Sequence, residues 1–122
     1  METIAIVDDD DEVAGLLKEF LESKGFKVWR TLDANQFMAL VKGNAPDLVI
    51  MDLQMPGVSG VTAAKSLRSD PATKGIPIVV LSAMPRDLQT KWFFGMGEGI
   101  GFVEKPVDFP ELMRTIEGLL RG

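Results

Sequence analysis

The sequence contains no cysteine and no histidine. These absences remove disulfides, thiolate chemistry, phosphohistidine and soft-metal sites. Any metal held by this chain is bound through oxygen, which favours Mg²⁺, Mn²⁺ or Ca²⁺. No apolar stretch approaches the length of a membrane span. A strand signal begins at Thr3, so no signal peptide is expected ahead of it. The formal charge is −5 and no basic stripe is visible, which argues against nucleic-acid binding. A nucleotide-binding P-loop is also missing. With 122 residues, the chain fits one domain with a real core. It shows no repeat, no low-complexity segment and no linker. A soluble cytoplasmic protein without membrane or nucleic-acid partners is expected.

Four apolar runs each stop at a polar residue. Thr3–Val7 runs into Asp8 and Asp9, and Leu48–Met51 into Asp52. Ile78–Leu81 runs into Ser82, and Phe102-Val103 into Glu104-Lys105-Pro106. Short β-branched runs bounded by turn residues read as buried parallel strands. In an open parallel sheet the carboxyl ends share one edge, where ligands bind. Asp8, Asp9, Asp52, Ser82 and Lys105 are therefore expected to converge. Three carboxylates, a hydroxyl and an ammonium suit a divalent cation and a phosphoryl group.

Helical signals fill the intervals. Val13, Leu16, Leu17, Phe20 and Leu21 repeat with the spacing of one helical face, and Gly25 is a good stop. Residues 26–30 alternate like a half-buried edge strand. A second helix is expected from Asp33 as N-cap, with Phe37, Leu40 and Val41 inward and Gly43 at its end. Further strands are expected over 48–52 and 76–82. A turn at Met55-Pro56-Gly57 precedes a helix from Ser59 to Arg68. Another helix, from Pro85 to Phe94, carries Trp92, Phe93 and Phe94; these cannot all face inward, and an exposed one marks a partner surface. Four glycines between 95 and 101 loosen the approach to the last strand. The last helix starts near Phe109-Pro110-Glu111 and buries Leu112, Met113, Ile116, Leu119 and Leu120. The fold class is α/β, a single (βα)5 domain over 1–122 with no output domain expected.

Each site residue has a simpler explanation. Carboxylates at a helix start cap free N–H groups and favour the macrodipole, which suffices for Asp10, Asp11 and Glu12. It accounts less well for Asp8 and Asp9, which precede the helix. Asp52 could cap a turn, Ser82 could be the N-cap of the next helix, and most lysines are simply solvated. The joint occurrence at four strand ends is what argues for a site.

These pieces resemble the receiver domain of two-component response regulators. The resemblance rests on Ile6-Val7-Asp8-Asp9, on the run from Asp47 to Gly60, on Ile76 to Ala83, and on Phe102 to Pro106. The D-L-x-M-P-x-x-x-G pattern that starts at Asp52 is the most specific. The resemblance implies a doubly wound, flavodoxin-like parallel five-stranded sheet of order 2-1-3-4-5. It implies that Asp52 is the phospho-acceptor, a carboxylate nucleophile that becomes an acyl phosphate. It implies Mg²⁺ or Mn²⁺ held by Asp8, Asp9, Asp52 and the backbone carbonyl of Gln54, with Asp9 the more direct ligand and Asp8 acting through water. Lys105 then pairs with a phosphoryl oxygen. Ser82 donates to another and draws the following loop, while Phe102 turns inward. Asp8, Asp9, Asp52 and Lys105 together carry two net negative charges, which one divalent cation neutralises.

The implied partners are a histidine kinase or histidine phosphotransfer protein and a downstream protein that binds the face of the fourth helix, fifth strand and fifth helix. A monomer or weak dimer is expected. The Lys105–Pro106 bond is expected to be cis, although sequence alone favours trans. Two departures stand out. Glu98-Gly99-Ile100-Gly101 replaces a more polar run, and Met84 stands where the family tunes phosphoryl lifetime. An apolar Met84 cannot orient an attacking water, so slow loss is expected. Three rivals remain. A haloacid-dehalogenase-like phosphatase normally has Asp two residues past the nucleophile, where Gln54 stands. A flavodoxin-like FMN protein needs a hydroxyl-rich loop after the first strand. A non-phosphorylated scaffold receiver would not need the intact five-residue set.

Overall fold

The structure is a computed structural model and describes residues 2–31, 36–53, 60–93 and 95–121. Its elements alternate: β1 (Thr3–Val7), α1 (Asp11–Ser23), β2 (Lys27–Thr31), α2 (Phe37–Asn44), β3 (Leu48–Asp52), α3 (Gly60–Ser69), β4 (Ile78–Ser82), α4 (Arg86–Trp92), β5 (Ile100–Glu104) and α5 (Phe109–Arg121). The strands form one parallel sheet in the order β2-β1-β3-β4-β5. Strand period two splits the core between the two faces. Ile4, Ile6, Leu48, Ile50, Val79, Leu81 and Val103 face α1 and α5. Ala5, Val7, Val49, Met51, Ile78 and Val80 face α2, α3 and Phe93. Both faces are covered, which is why β3 and β4 read as unbroken apolar runs.

The edge position of β2 agrees with its alternation. Several helix expectations need correction. Leu16 does not face the core; it is 53% exposed. With 3.6 residues per turn, the buried stripe centres on Ala14, Leu17 and Leu21, and Leu16 projects roughly 120° away from that centre. Gly43 does not end α2. The helix runs through it to Asn44, and Ala45 takes the left-handed position at φ 43°, its N–H donating to the Val41 carbonyl at 2.9 Å. The strand expected over 76–82 begins at Ile78, and β5 begins two residues before Phe102. The expected N-cap Asp33, the turn at Met55-Pro56-Gly57, the helix start at Ser59, and Phe94 lie outside the described residues.

Gly95, Gly97 and Gly99 all adopt positive φ, at 85°, 87° and 83°. Only glycine takes that geometry without strain. The looseness expected here is limited at its end, because Arg68 donates to the carbonyls of Ile76 at 2.7 Å and of Glu98 and Gly99 at 3.3 Å. Gly60 has a different constraint. It opens α3, donates to the Leu53 carbonyl at 2.9 Å, and lies on the end of β3. A Cβ there would meet the Asp52 carbonyl oxygen and Leu53 Cα at 2.8 Å each. Both are backbone atoms, so the helix or the strand end must shift. Gly60→Ala is expected to destabilise by about 1–3 kcal/mol. A fall in Tm of roughly 3–5 °C per kcal/mol in a thermal melt would show it; an unchanged Tm would mean that α3 does not seat on Asp52.

Candidate functional site

β1 and β3 are neighbours, with Val7 opposite Met51, so Asp8 and Asp52 leave the sheet side by side. Ser82 ends β4, and its carbonyl accepts from the Lys105 N–H at 2.8 Å. The Lys105–Pro106 peptide bond is cis, as expected. Side-chain oxygens of Asp8, Asp9 and Asp52 lie within 4.8 Å of one another. Lys105 Nζ donates to Asp52 Oδ2 at 2.8 Å and stands 3.8 Å from Asp8 Oδ2. The residues picked from four distant strand ends therefore meet at one edge. Gln54 lies outside the described residues.

Burial separates the carboxylates. Asp8 and Asp52 are buried, whereas Asp9 is exposed. Asp8 Oδ1 accepts from the Asp10 N–H at 2.9 Å. Its other oxygen is buried and has no hydrogen-bond partner among the described residues. At 3.8 Å the Lys105 ammonium supplies charge but not a hydrogen bond. Burial pushes the Asp8 carboxyl above the ordinary carboxylate range. The Asp10 N–H and Lys105 oppose this, while the charges of Asp52 and Asp9 reinforce it. For Lys105, burial favours the neutral amine. The hydrogen bond to Asp52, then the charges of Asp52, Asp8 and Asp10, outweigh it and hold the ammonium above its usual range.

Asp10 and Asp11 behave as helix-start residues. Asp10 caps α1 by accepting from the N–H groups of Glu12 and Val13 at 3.1 and 3.2 Å. Asp11 is exposed and pairs with Arg30. Ser82 does not cap α4, whose N-cap is Pro85. Its Oγ instead accepts from the Met84 N–H at 3.0 Å. Phe102 is half-buried, and its ring meets Phe93 edge-on at 5.5 Å between centroids. Of the α4 aromatics, Phe93 is buried and Trp92 is 58% exposed.

An oxygen-only donor set with a buried, unpaired Asp8 oxygen fits a hard divalent cation. Residues 4–117 match the family described as the response regulator receiver domain. The chain belongs to that family. This receiver is 33% identical over 123 residues to the protein PilH of Pseudomonas aeruginosa, with all of both chains covered. It is 35% identical over 119 residues to the phosphate regulon transcriptional regulatory protein PhoB of Rhizobium meliloti, covering 97% of the receiver and 52% of that protein. The chain thus spans the full length of one such relative and about half of the other. A solved response-regulator structure from Chloroflexus aurantiacus has a TM-score of 0.91 to the receiver at 32% identity, covering 99% of the receiver and 98% of that chain. A receiver of two-component systems is a signalling module, and neither the phosphatase nor the scaffold reading gains support from these matches. Among the described residues, no helix is long and apolar enough to cross a membrane.

Two contacts around α4 were not anticipated from the residue pattern. Arg86 bridges three elements: its N–H donates to Glu104 and its guanidinium pairs with Glu111, both at 2.7 Å. Gln89 is fully buried.

Proposed function

We propose that this receiver takes a phosphoryl group on Asp52 and passes the change to a protein partner through α4 and β5. The observation that carries the reading is the trio of carboxylates within 4.8 Å, one with an unpaired buried oxygen, beside an ammonium at 2.8 Å from Asp52. Asp9, Asp8, Asp52 and the Gln54 carbonyl would hold Mg²⁺ or Mn²⁺. When bound, the cation offsets the excess negative charge and polarises the phosphoryl oxygens. An Asp52 carboxylate oxygen attacks phosphorus, the bond from phosphorus to the donor nitrogen or oxygen breaks, and an acyl phosphate forms. Lys105 leaves its resting hydrogen bond with Asp52 and meets a phosphoryl oxygen. Ser82 Oγ, still accepting from the Met84 N–H, donates its own proton to another and draws the loop with it. Phe102 then has room to turn inward.

The donor is a histidine kinase or histidine phosphotransfer protein. An apolar groove of about 230 Å³ runs between α1 and the β5–α5 turn, lined by Val13, Leu16, Leu17, Lys105, Val107 and Phe109. Lys105 lines both the groove and the site, so a helix seated there brings its histidine to Asp52. The exposed Leu16 has a role on this reading. The cytoplasm, where such kinases present their phosphohistidine, is the compartment that fits. Half-buried Met84 packs among apolar residues and offers no group to orient water, which supports slow loss of the phosphoryl group.

The test is metal affinity. Titrating Mg²⁺ against Trp fluorescence, Asp8→Ala and Asp9→Ala are expected to weaken binding at least roughly tenfold, as expected for lost charge-assisted contacts. Asp10→Ala and Asp11→Ala should change it far less. Equal losses for Asp9 and Asp11 would reduce the acidic run to a diffuse charge cloud.

A further inference from the structure

The helix α4 is attached to the domain by a polar side chain. Among its residues only Gln89 is buried, with no exposed surface. A fully buried amide is costly unless both of its ends are paired. Here only one end is. Nε2 donates to the Met84 carbonyl at 2.7 Å. That carbonyl fixes the orientation of the amide, because only its NH₂ end can face an acceptor. Oε1 is left without a partner among the described residues. The Met84 N–H in turn donates to Ser82 Oγ at 3.0 Å. Met84 therefore joins the hydroxyl at the end of β4 to the buried amide of α4.

We infer that Gln89 is the positioning residue that makes α4 follow Ser82. This rests on the reading that Ser82 is drawn toward a phosphorylated Asp52. When Ser82 turns, Met84 moves with it, and the Met84 carbonyl carries the Gln89 amide. The unpaired Oε1 also makes the resting seat of α4 a poor one, so a displaced helix that offers Oε1 a donor is favoured. Space-filling does not explain the residue, since an apolar side chain of similar size would fill the site without leaving an acceptor unpaired. The other anchor of α4 is separate. Arg86 ties the helix start to Glu104, the Phe102 carbonyl and Glu111. It holds the helix to β5 and α5 when Gln89 is changed.

The test compares amide NMR spectra of the parent chain, Gln89→Leu and Gln89→Met, each with Mg²⁺ and then with beryllofluoride added. In all three, residues 52 and 82–84 should shift. In the parent, residues 86–93 should shift too. In both variants the response of 86–93 should fall roughly fivefold, the equilibrium weight of one hydrogen bond. A merely structural role would lower stability and leave the α4 response in place. A full response of 86–93 in the folded variants overturns the inference alone. Silence at 52 and 82–84 in the parent overturns the proposed function, and the inference with it.

Discussion

Asp52→Asn is expected to abolish phosphoryl uptake from acetyl phosphate and Mg²⁺, by on the order of a thousandfold or more in rate. The amide keeps the size of the side chain and still accepts a hydrogen bond from Lys105 through its carbonyl oxygen. It lacks an anionic oxygen to attack phosphorus. Asp52 is 7% exposed and sits at the end of a strand buried along its whole length, so the substitution should leave the fold intact. Circular dichroism checks that. Radiolabel incorporation measures the effect. Uptake equal to that of the parent would place the chemistry on another residue.

The second large effect reverses the usual sign of a mutation. Asp8→Asn should stabilise the metal-free protein by about 1–2 kcal/mol, because it removes a buried charge that has an unpaired oxygen. The folded Asp8 carboxyl titrates above its unfolded value. Its favourable contribution is therefore complete below the unfolded carboxylate range and is lost as pH rises through the folded value. At neutral pH the ionised group is a net cost to the folded chain. The advantage of Asp8→Asn should shrink on acidification and disappear once Asp8 is protonated in the parent. Mg²⁺ should invert the order. A cation at a hundred times its Kd adds about 2.7 kcal/mol to the parent, and much less to the variant. Urea unfolding at pH 7 and in acid, with and without Mg²⁺, measures all four cases. A variant less stable than the parent without metal would show that Asp8 is satisfied by the fold itself. A stabilised Asp8→Asn variant would mark the carboxylate as a group kept for ligand binding at a cost to the metal-free fold.

The site was legible because parallel strands bring their carboxyl ends to one edge. Asp8, Asp52, Ser82 and Lys105 each close an apolar run, and the chain cannot form this sheet without gathering them. The strand order came from the resemblance, since hydrophobic pattern alone does not rank neighbours. Finer features escaped for local reasons. Leu16 has the right spacing for the α1 stripe but projects away from it, and spacing does not locate the centre of a stripe. Gly43 is a plausible helix stop, yet Ala45 supplies the left-handed turn because Asn44 Nδ2 also closes the helix end, donating to the Leu40 carbonyl at 2.9 Å. Gln89 sits between exposed Leu88 and Thr90 on a short helix, where no period is long enough to mark the buried face. The α4 aromatics divided as the crowding argument required, Phe93 inward and Trp92 outward.

The central claim is that one carboxylate, Asp52, carries the phosphoryl group. Borohydride reduction of the acyl phosphate, followed by peptide mass spectrometry, tests it most directly. After exposure to acetyl phosphate and Mg²⁺, the reduced residue is predicted at position 52, and chelation of the metal should prevent its appearance. Reduction at Asp8 or Asp9 instead, or no reduced residue with donor and metal both in excess, would contradict the account.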